Sequence, residues 1–251
     1  MLINQTLEGL SALSLPSMVR GLKEQLENPS YQELSFEERL GMLVDKELLD
    51  RETRRINRNL KAARLRINAC VEDVDFMVKR GLDRYTFMGL SQALWVRSAQ
   101  NVVITGPTGV GKTYLACALA DSAIKNGKSA LYFRLPRLID ELQIARVDGR
   151  WPKVIQQLLK TDLLVVDDFL LRPMTSDQAA EILEVIDDRT KRRSTLFASQ
   201  LPVDMWHPAI KDTTIADALL DRILDATHRI ELKGDTMRKT GVDNPAQTDA
   251  D

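Results

Sequence analysis

GPTGVGKT, which runs from Gly106 to Thr113, constrains the fold more strongly than any other part of this sequence. It matches the pattern G-x-x-x-x-G-K-[ST], whose glycines let the backbone wrap around a phosphate with its N–H groups pointing inward. The apolar run NVVIT precedes it, and the helical pattern YLACALADSAIKNG, ending at Gly127, follows it. A helix that begins here aims the positive end of its dipole at the same anion. The sequence therefore predicts a strand, a nucleotide-binding loop and a helix in succession.

The residues of this phosphate-binding loop have separate expected roles. Lys112 is expected to reach the outer phosphates, and the hydroxyl of Thr113 is expected to bind Mg²⁺. The loop as a whole is expected to hold the nucleotide, through Gly106, Pro107, Thr108, Gly109, Val110, Gly111, Lys112 and Thr113.

Four more apolar runs follow the loop and predict the rest of a sheet. They are SALYFR, DLLVVDD, STLFAS and HRIEL, and the segments between them are long enough for crossover helices. Strands that alternate with helices in this way are typical of an α/β fold, in which helices cover both faces of a parallel sheet. Together with NVVIT, these runs predict five parallel strands.

The run LLVVDD ends in two acids, Asp167 and Asp168. The carboxyl end of a buried parallel strand faces the ligand crevice, so both acids are expected beside the phosphate-binding loop. Asp167 is expected to hold Mg²⁺ directly or through water, and Asp168 to polarise the attacking water. The alternative for Asp168 is that it caps the next segment. The second acid favours nucleotide hydrolysis, because a small-molecule kinase does not need it to activate water.

Four further polar residues, two of them alternatives for one role, are candidates for contact with the γ-phosphate. Gln200 in ASQLPVDMWH follows the next strand and would orient water or touch the phosphate, with Ser199 as the second choice. Arg222 and Arg238 lie further on, in IADALLDRILDATHRIELKGDTMRK. An arginine can stabilise charge on the transferring phosphoryl group, often from another subunit. On the residues alone, each arginine is better interpreted as a solvated surface group.

The first hundred residues have helical patterns. SFEERLGMLVDKELLDRE begins with Ser35 and has Glu38 three positions later, which predicts a capping box at a helix N-terminus. The basic stretch RETRRINRNLKAARLR continues directly from it, as one long helix or two in close succession. We therefore predict a small helical domain over residues 1–68. An ATPase domain is predicted over 69–240, with a helical linker to about 98, and a disordered tail over 241–251.

Composition narrows the class of protein. The chain has 251 residues, a formal net charge of −1 and 44% apolar residues, which is enough for a packed core. It has no apolar run long enough to span a membrane and no secretion signal, so we expect a soluble intracellular protein with no membrane partner. Cys70 and Cys117 lie far apart and are expected to be buried reduced thiols.

Beyond the loop, the sequence resembles a known family. GPTGVGKTYLACALA, LLVVDD, STLFASQLPVDMWH, IADALLDRI, HRIEL and KGDTMRK occur in the order and spacing of the IstB-type helper ATPases of bacterial insertion sequences. LSFEERLGMLVDKELLDRE and VEDVDF extend the resemblance, which covers about residues 10–240. That family is related to the DnaC helicase loader, within the AAA+ initiator clade. The resemblance implies an AAA+ ATPase core, a bacterial cytoplasmic location and ATP as the ligand.

The resemblance also implies partners and residue roles. Members of the family assemble with ATP as homo-oligomers on duplex target DNA, deform the DNA and stimulate a partner transposase. By this resemblance Gly106 to Thr113 match the Walker A loop, and Asp167 and Asp168 the Walker B acids. Gln200 then stands at the sensor 1 position, Arg222 in the arginine-finger segment and Arg238 at the sensor 2 position. This chain departs from the family at Phe169-Leu170, where a Trp-Gly pair is more usual.

The basic stretch is a candidate DNA-binding surface. It carries seven Lys or Arg residues against one Glu, in a chain that is almost neutral overall. Positive residues on one helical side attract phosphates without regard to sequence. The hypothesis is that DNA contacts involve some of Arg51, Arg54, Arg55, Arg58, Lys61, Arg64 and Arg66. The alternative is a solvated helix face paired with acids such as Glu47 and Asp50. A second candidate set is Arg134, Arg137, Arg146, Arg150 and Lys153.

Three other functions stay open on the sequence. A helicase loader would use the same ATPase core but prefer single-stranded DNA and bind a replicative helicase. A small-molecule phosphotransferase would bind ATP as a monomer and ignore DNA. A scaffold that binds ATP without hydrolysing it is the third, and Asp168 argues against it.

Overall fold

The computed structural model describes residues 2–237, and the chain divides into two compact units. The first runs to Asn59 and the second begins at Leu60. The sequence places the boundary slightly later, at residue 68. The tail expected to be disordered, and Arg238, lie outside the described residues.

The first unit is helical. It contains α1 (Leu2–Ala12), α2 (Pro16–Glu27), a short 3-10 turn (Pro29–Glu33) and most of α3 (Phe36–Ala63). The capping box at the start of α3 is confirmed, because the Ser35 N–H donates to Glu38 and the Glu38 N–H donates to the Ser35 hydroxyl, at 2.8 and 3.2 Å. The basic stretch continues this helix without a break to Ala63. Arg64, with φ of 53°, then leaves the helical conformation.

A buried acid joins α2 to α3. Glu47 on α3 is 3% exposed and accepts hydrogen bonds from the N–H groups of Ser17 and Met18, at 2.8 and 3.3 Å. These N–H groups belong to the first turn of α2, where the helix itself offers no acceptor. Glu47 also accepts from Arg51 and Arg54. Part of the basic stretch is therefore used to stabilise this helix pair.

The second unit contains the predicted sheet. Its strands are β1 (Asn101–Thr105), β2 (Ala130–Arg134), β3 (Leu163–Phe169), β4 (Ser194–Ser199) and β5 (Thr227–Glu231). Their order is β2-β3-β4-β1-β5, and every pair is parallel. The prediction of a five-stranded parallel sheet in an α/β fold is confirmed. In this order β4 lies between β3 and β1, so the tips of all three strands share the edge of the sheet where the phosphate-binding loop begins.

Helices pack on both faces of this sheet. They are α4 (Arg84–Ser91), α5 (Leu94–Arg97), α6 (Lys112–Lys125), α7 (Leu135–Val147), α8 (Trp151–Lys160), α9 (Ser176–Arg189) and α10 (Thr213–Leu224). α6 is alanine-rich, buried along most of its length and in contact with four strands. On the other face, Val103, Val166 and Phe197 pack in one apolar core with α7, α9 and α10. The buried side chains of α6 hold it against the sheet, which fixes the position of the loop before it.

The segment between the basic helix and α4 differs from its prediction. A helical linker to about residue 98 is expected from the sequence, but residues 64–83 contain no helix and only α4 and α5 follow. Polar groups of this segment bond to each other and also to the nucleotide-binding region. The Tyr114 hydroxyl of α6 donates to the Cys70 carbonyl at 3.5 Å, for example.

Both cysteines are free thiols, as expected, but only Cys117 is buried and Cys70 is half-buried. None of the helices within residues 2–237 is long and apolar enough to cross a membrane.

Arg189, at the end of α9, connects the end of α8 to the start of β4 through hydrogen bonds. Its side chain is 1% exposed, and its guanidinium donates to the carbonyls of Leu158, Thr161 and Ser194 and to the Thr195 hydroxyl. Burial lowers the pKa of Arg189. The planar guanidinium donates at the same time to acceptors on α8, on the residues between α8 and β3, and on β4.

Arg189→Met is therefore expected to lower the free energy of unfolding by roughly 3 kcal/mol or more, because it leaves several buried acceptors without donors. Urea denaturation of the full chain measures this. Arg192→Met, an exposed arginine three positions away, is the matched control and should change stability by less than about 0.5 kcal/mol. An equal effect of the two substitutions would show that the Arg189 network contributes little.

Candidate functional site

The phosphate-binding loop has the geometry expected of an anion site. It runs from the end of β1 into α6, which begins at Lys112. Gly111, directly before the helix, has φ of 101°, a conformation that favours glycine. The Lys112 ammonium donates to the carbonyls of Gly106 and Pro107, at 2.7 and 2.8 Å, and so lies over the loop. Together with the N-terminus of α6, it makes the loop a positive concavity.

Asp167 connects the acid strand to the loop. It is 1% exposed, and its Oδ2 accepts hydrogen bonds from the hydroxyls of Thr113 and Tyr132, at 2.8 and 2.6 Å. Its Oδ1 accepts from the Asp168 N–H at 2.8 Å. Burial, together with the hydrogen bond to Asp167, raises the pKa of the Tyr132 hydroxyl, which therefore stays a donor. The structure brings together the two residues predicted to bind the metal.

These two side chains fit Mg²⁺. The Thr113 hydroxyl and the Asp167 carboxylate are hard oxygen donors in direct contact, next to the place where a loop of this kind holds phosphates. Mg²⁺ in proteins usually takes one or two such side chains, and phosphate oxygens and waters complete its octahedron. The donor set therefore suits the predicted metal.

Asp168 lies between two arginines. The Arg134 Nε donates to its Oδ2 at 2.6 Å, and this hydrogen bond raises the pKa of Arg134. The Arg66 NH1 lies 3.8 Å from the same oxygen and 3.9 Å from Asp167 Oδ2. Within residues 2–237, no backbone N–H of the following segment donates to the Asp168 carboxylate, so the geometry gives no support to the capping alternative.

The turn after Asp168 shows what the Phe169-Leu170 departure does. Phe169 is fully buried and packs edge-to-face against Phe197 and Trp206, with ring centroids 4.9 and 4.8 Å apart. Leu170 has φ of 53°, the backbone conformation for which the usual glycine is best suited. Its side chain is buried in the same core. The turn therefore keeps a glycine-like shape while its side chains are anchored in the core.

Gln200 is placed at the loop, and Ser199 is not. The Thr108 hydroxyl donates to Gln200 Oε1 at 2.8 Å. Ser199 is buried, and its hydroxyl donates to the Phe169 carbonyl at 2.7 Å, so it joins β4 to the end of β3. Of the two strand-tip candidates, only Gln200 borders the nucleotide cavity.

Arg222 is remote from the loop of its own chain. Its carbonyl accepts from the Asn101 side chain at the start of β1, whereas the loop follows the end of that strand. Its guanidinium donates to Asp187 and to the Ala218 carbonyl. An action of Arg222 on a nucleotide would therefore have to take place in a neighbouring subunit.

The nucleotide cavity has a volume of about 480 Å³, within the usual range for small-molecule sites. Thr108, Lys112, Thr113, Asp168 and Gln200 border it. It is also bordered by residues that the sequence does not single out: Ile67, Asp73, Asp75, Arg80, Tyr114 and Met237. Tyr132, whose hydroxyl donates to Asp167, is also not singled out by the sequence. Its position in SALYFR, the strand next to the acid strand, could have indicated this contact.

The predicted DNA-binding arginines are divided among different environments. Arg51 and Arg54 pair with Glu47, Arg55 pairs with Glu52, and Arg66 lies at the acid pair. Within residues 2–237, no ion pair involves the remaining three, Arg58, Lys61 and Arg64. The pairing alternative therefore applies to the first part of the stretch, and the DNA-contact prediction stands best for the last part.

The second basic set is mostly engaged within the chain. Arg134 bonds to Asp168, and Arg146 pairs with Glu181 and Glu184 while its guanidinium lies 3.6 Å from the centre of the Trp151 ring. Arg150 pairs with Asp148 and Glu141. Contact of this set with DNA stays a prediction, in competition with these pairs.

Sequence comparison shows which family this site belongs to. The profile described as IstB-like ATP binding protein matches residues 8–243. The chain belongs to this family. A putative insertion sequence ATP-binding protein of Sinorhizobium fredii is 41% identical over 239 residues, which is 95% of this chain and 98% of that protein. The predicted resemblance to the IstB-like family is confirmed.

Solved structures support the fold assignment. The crystal structure of DnaI covers 66% of this IstB-like chain and 91% of its own, with a TM-score of 0.58 and 22% identity. The DnaC helicase loader covers 59% and 87%, with a TM-score of 0.52 and 22% identity. At this identity the likeness concerns the fold alone, and it supports the predicted α/β fold.

Proposed function

We propose that this protein is an ATP-dependent DNA-binding helper of transposition. It assembles on duplex target DNA in the bacterial cytoplasm, deforms the DNA and stimulates a partner transposase. The observation that carries the proposal is the extent of the likeness to insertion sequence ATP-binding proteins, which includes both the helical unit and the ATPase unit.

The site supports hydrolysis of ATP as well as binding. Lys112 and the N-terminus of α6 would neutralise the phosphates. Thr113 and Asp167 would hold Mg²⁺, which would supply further positive charge to the phosphate oxygens. Gln200 orients the attacking water, and Asp168 accepts a proton from that water. In the structure, one of the two carboxylate oxygens of Asp168, Oδ2, already accepts a hydrogen bond from Arg134. Hydrolysis is therefore expected to be slow until DNA or the partner moves that arginine.

Assembly is coupled to ATP through Arg222. Because this residue lies away from the loop of its own chain, it completes the site of a neighbour in the assembled form. ATP then favours the oligomer because it makes its full set of contacts only there. Hydrolysis removes the γ-phosphate and loosens the assembly.

Fluorescence anisotropy with labelled duplex and single-stranded DNA tests the proposal. The full chain is titrated with ATP, with ADP and without nucleotide, across a salt series. Tight duplex binding that requires ATP is the expected result. A preference for single strands would indicate a helicase loader, and no DNA binding in any condition would contradict both and favour a small-molecule phosphotransferase.

The three residues of the basic stretch that form no ion pair within residues 2–237 give a sharper prediction. Replacing Arg58, Lys61 and Arg64 together with Ala should reduce the slope of log affinity against log salt by about 2 to 3, if each contacts one phosphate of duplex DNA. The same anisotropy titration, between about 50 and 200 mM salt, measures the slope.

The matched control replaces Lys191, Arg192 and Arg193, which also removes three positive charges but at the turn between α9 and β4. It should leave the slope unchanged. Equal slopes for both triple variants and the natural protein would show that the basic stretch is a solvated helix face.

A further inference from the structure

The phosphate-binding loop lies between two segments that are distant in sequence. On one side, the N–H of Met237 donates to the Gly109 carbonyl at 2.9 Å. A Cβ atom on Gly109 would clash with the side chain of Thr236, so this position leaves no room for a larger residue. On the other side, a Cβ on Gly111 would lie 2.5 Å from a guanidinium nitrogen of Arg80. The glycines are thus required by their neighbours as well as by the phosphate.

Arg80 connects all three parts. Its NH1 donates to the Val110 carbonyl at 3.1 Å and contacts the Met237 sulfur at 2.9 Å. Its NH2 donates to the Asp75 carbonyl at 3.1 Å, and its own carbonyl accepts from the Lys233 N–H at 2.8 Å. One residue therefore bonds to the loop, to its own segment and to the segment that follows β5.

Arg80 is a buried arginine whose charge is not balanced by an ion pair within residues 2–237. The residue is 3% exposed, and burial lowers the pKa of its guanidinium. Within the described part of the chain, no carboxylate forms an ion pair with it and its Nε has no hydrogen-bond partner. Burying a charge against carbonyl oxygens alone is costly, so the position is expected to serve more than packing. Arginine is suited to it because its planar fork donates in two fixed directions at once, which lysine cannot do.

We propose that Arg80 is a positioning residue of the nucleotide site. By donating to the Val110 carbonyl, it turns that peptide so that the carbonyl points away from the phosphates and the loop N–H groups point toward them. In this role Arg80 acts through the backbone of the loop, although it also borders the cavity. Through Met237 and Lys233 it also makes the shape of the loop depend on the segment after β5. This inference rests on ATP being the ligand of the loop, but not on DNA binding or hydrolysis.

Arg80→Lys and Arg80→Met test this, with Arg84→Lys and Arg84→Met as matched controls on an exposed arginine of the same region. Equilibrium dissociation constants are measured for Mg-ATP and for inorganic tripolyphosphate, below the thermal transition of each nucleotide-free variant. The Arg80 variants should bind both ligands about 10- to 100-fold more weakly, since a charged hydrogen bond of this kind is lost. The Arg84 variants should bind as the natural protein does.

Tripolyphosphate makes the test decisive. If Arg80 instead recognises the base or ribose, only ATP binding falls, and the proposal is overturned. It is also overturned if the Arg80 variants lose thermal stability but keep both affinities. If the natural protein binds neither ligand, the assignment of ATP itself fails, and that result is distinct from either outcome for Arg80.

Discussion

Asp168→Asn is expected to lower kcat for DNA-stimulated ATP hydrolysis by about 10²- to 10⁴-fold, the usual contribution of a positioned general base. The amide keeps the size of the side chain and can still accept from Arg134, so the fold of the turn should survive. It cannot accept a proton from water. ATP affinity should change by no more than about threefold, because Asp168, unlike Asp167, is not expected to bind the metal. Steady-state turnover and equilibrium ATP binding, measured on the same preparation, separate these effects.

Asp168→Glu is the conservative control for this substitution. It restores a carboxylate at slightly longer reach and should recover part of the lost rate. If Asp168→Asn turned over ATP at the natural rate, Asp168 would have only a structural role, and the case for a scaffold without useful hydrolysis would be stronger. If Asp168→Asn instead lost ATP binding, Asp168 would belong with the metal ligands.

The strands, the loop and the acid pair could be predicted because their signals are local. Four or five apolar residues in a row report burial on both faces of a strand, and the glycine spacing of the loop reports a backbone shape. The contact between Thr113 and Asp167 follows from these two facts, because the carboxyl ends of parallel strands meet at the same edge of the sheet. For the same reason the five strands were found almost residue by residue, with differences only at their ends.

The positions of the arginines could not be predicted in this way. A guanidinium lies at the end of a long flexible side chain, so its partner depends on which elements meet in three dimensions. Arg66 looks like the last residue of a basic stretch, yet it lies at the acid pair because residues 64–83 leave the helix and pack against α6. Arg80 carries no signal at all in a single sequence. Only the pairs within one helix, such as Arg51 with Glu47, could be inferred from spacing.

Arg222→Ala is the second substitution with a large expected effect. If Arg222 completes a neighbour's site, the variant should hydrolyse ATP about 10³-fold or more slowly, the range for a lost arginine finger. Binding of ATP to isolated subunits should be unaffected, because the residue lies at the other end of β1 from the loop. Turnover is measured at a protein concentration where the natural chain assembles, and ATP binding is measured at high dilution.

A mixture of two inactive variants tests whether Arg222 acts between subunits. Lys112→Ala removes the loop lysine, and Arg222→Ala removes the arginine, so neither alone can form a complete site. In a random one-to-one mixture, about a quarter of head-to-tail interfaces join an intact loop to an intact arginine and should be active. Asp187→Asn, which removes the negative charge next to Arg222 within its own chain, is the control and should hydrolyse ATP normally. A mixture no more active than its components would contradict action between subunits, because every complete site in the proposed assembly draws these two residues from different chains.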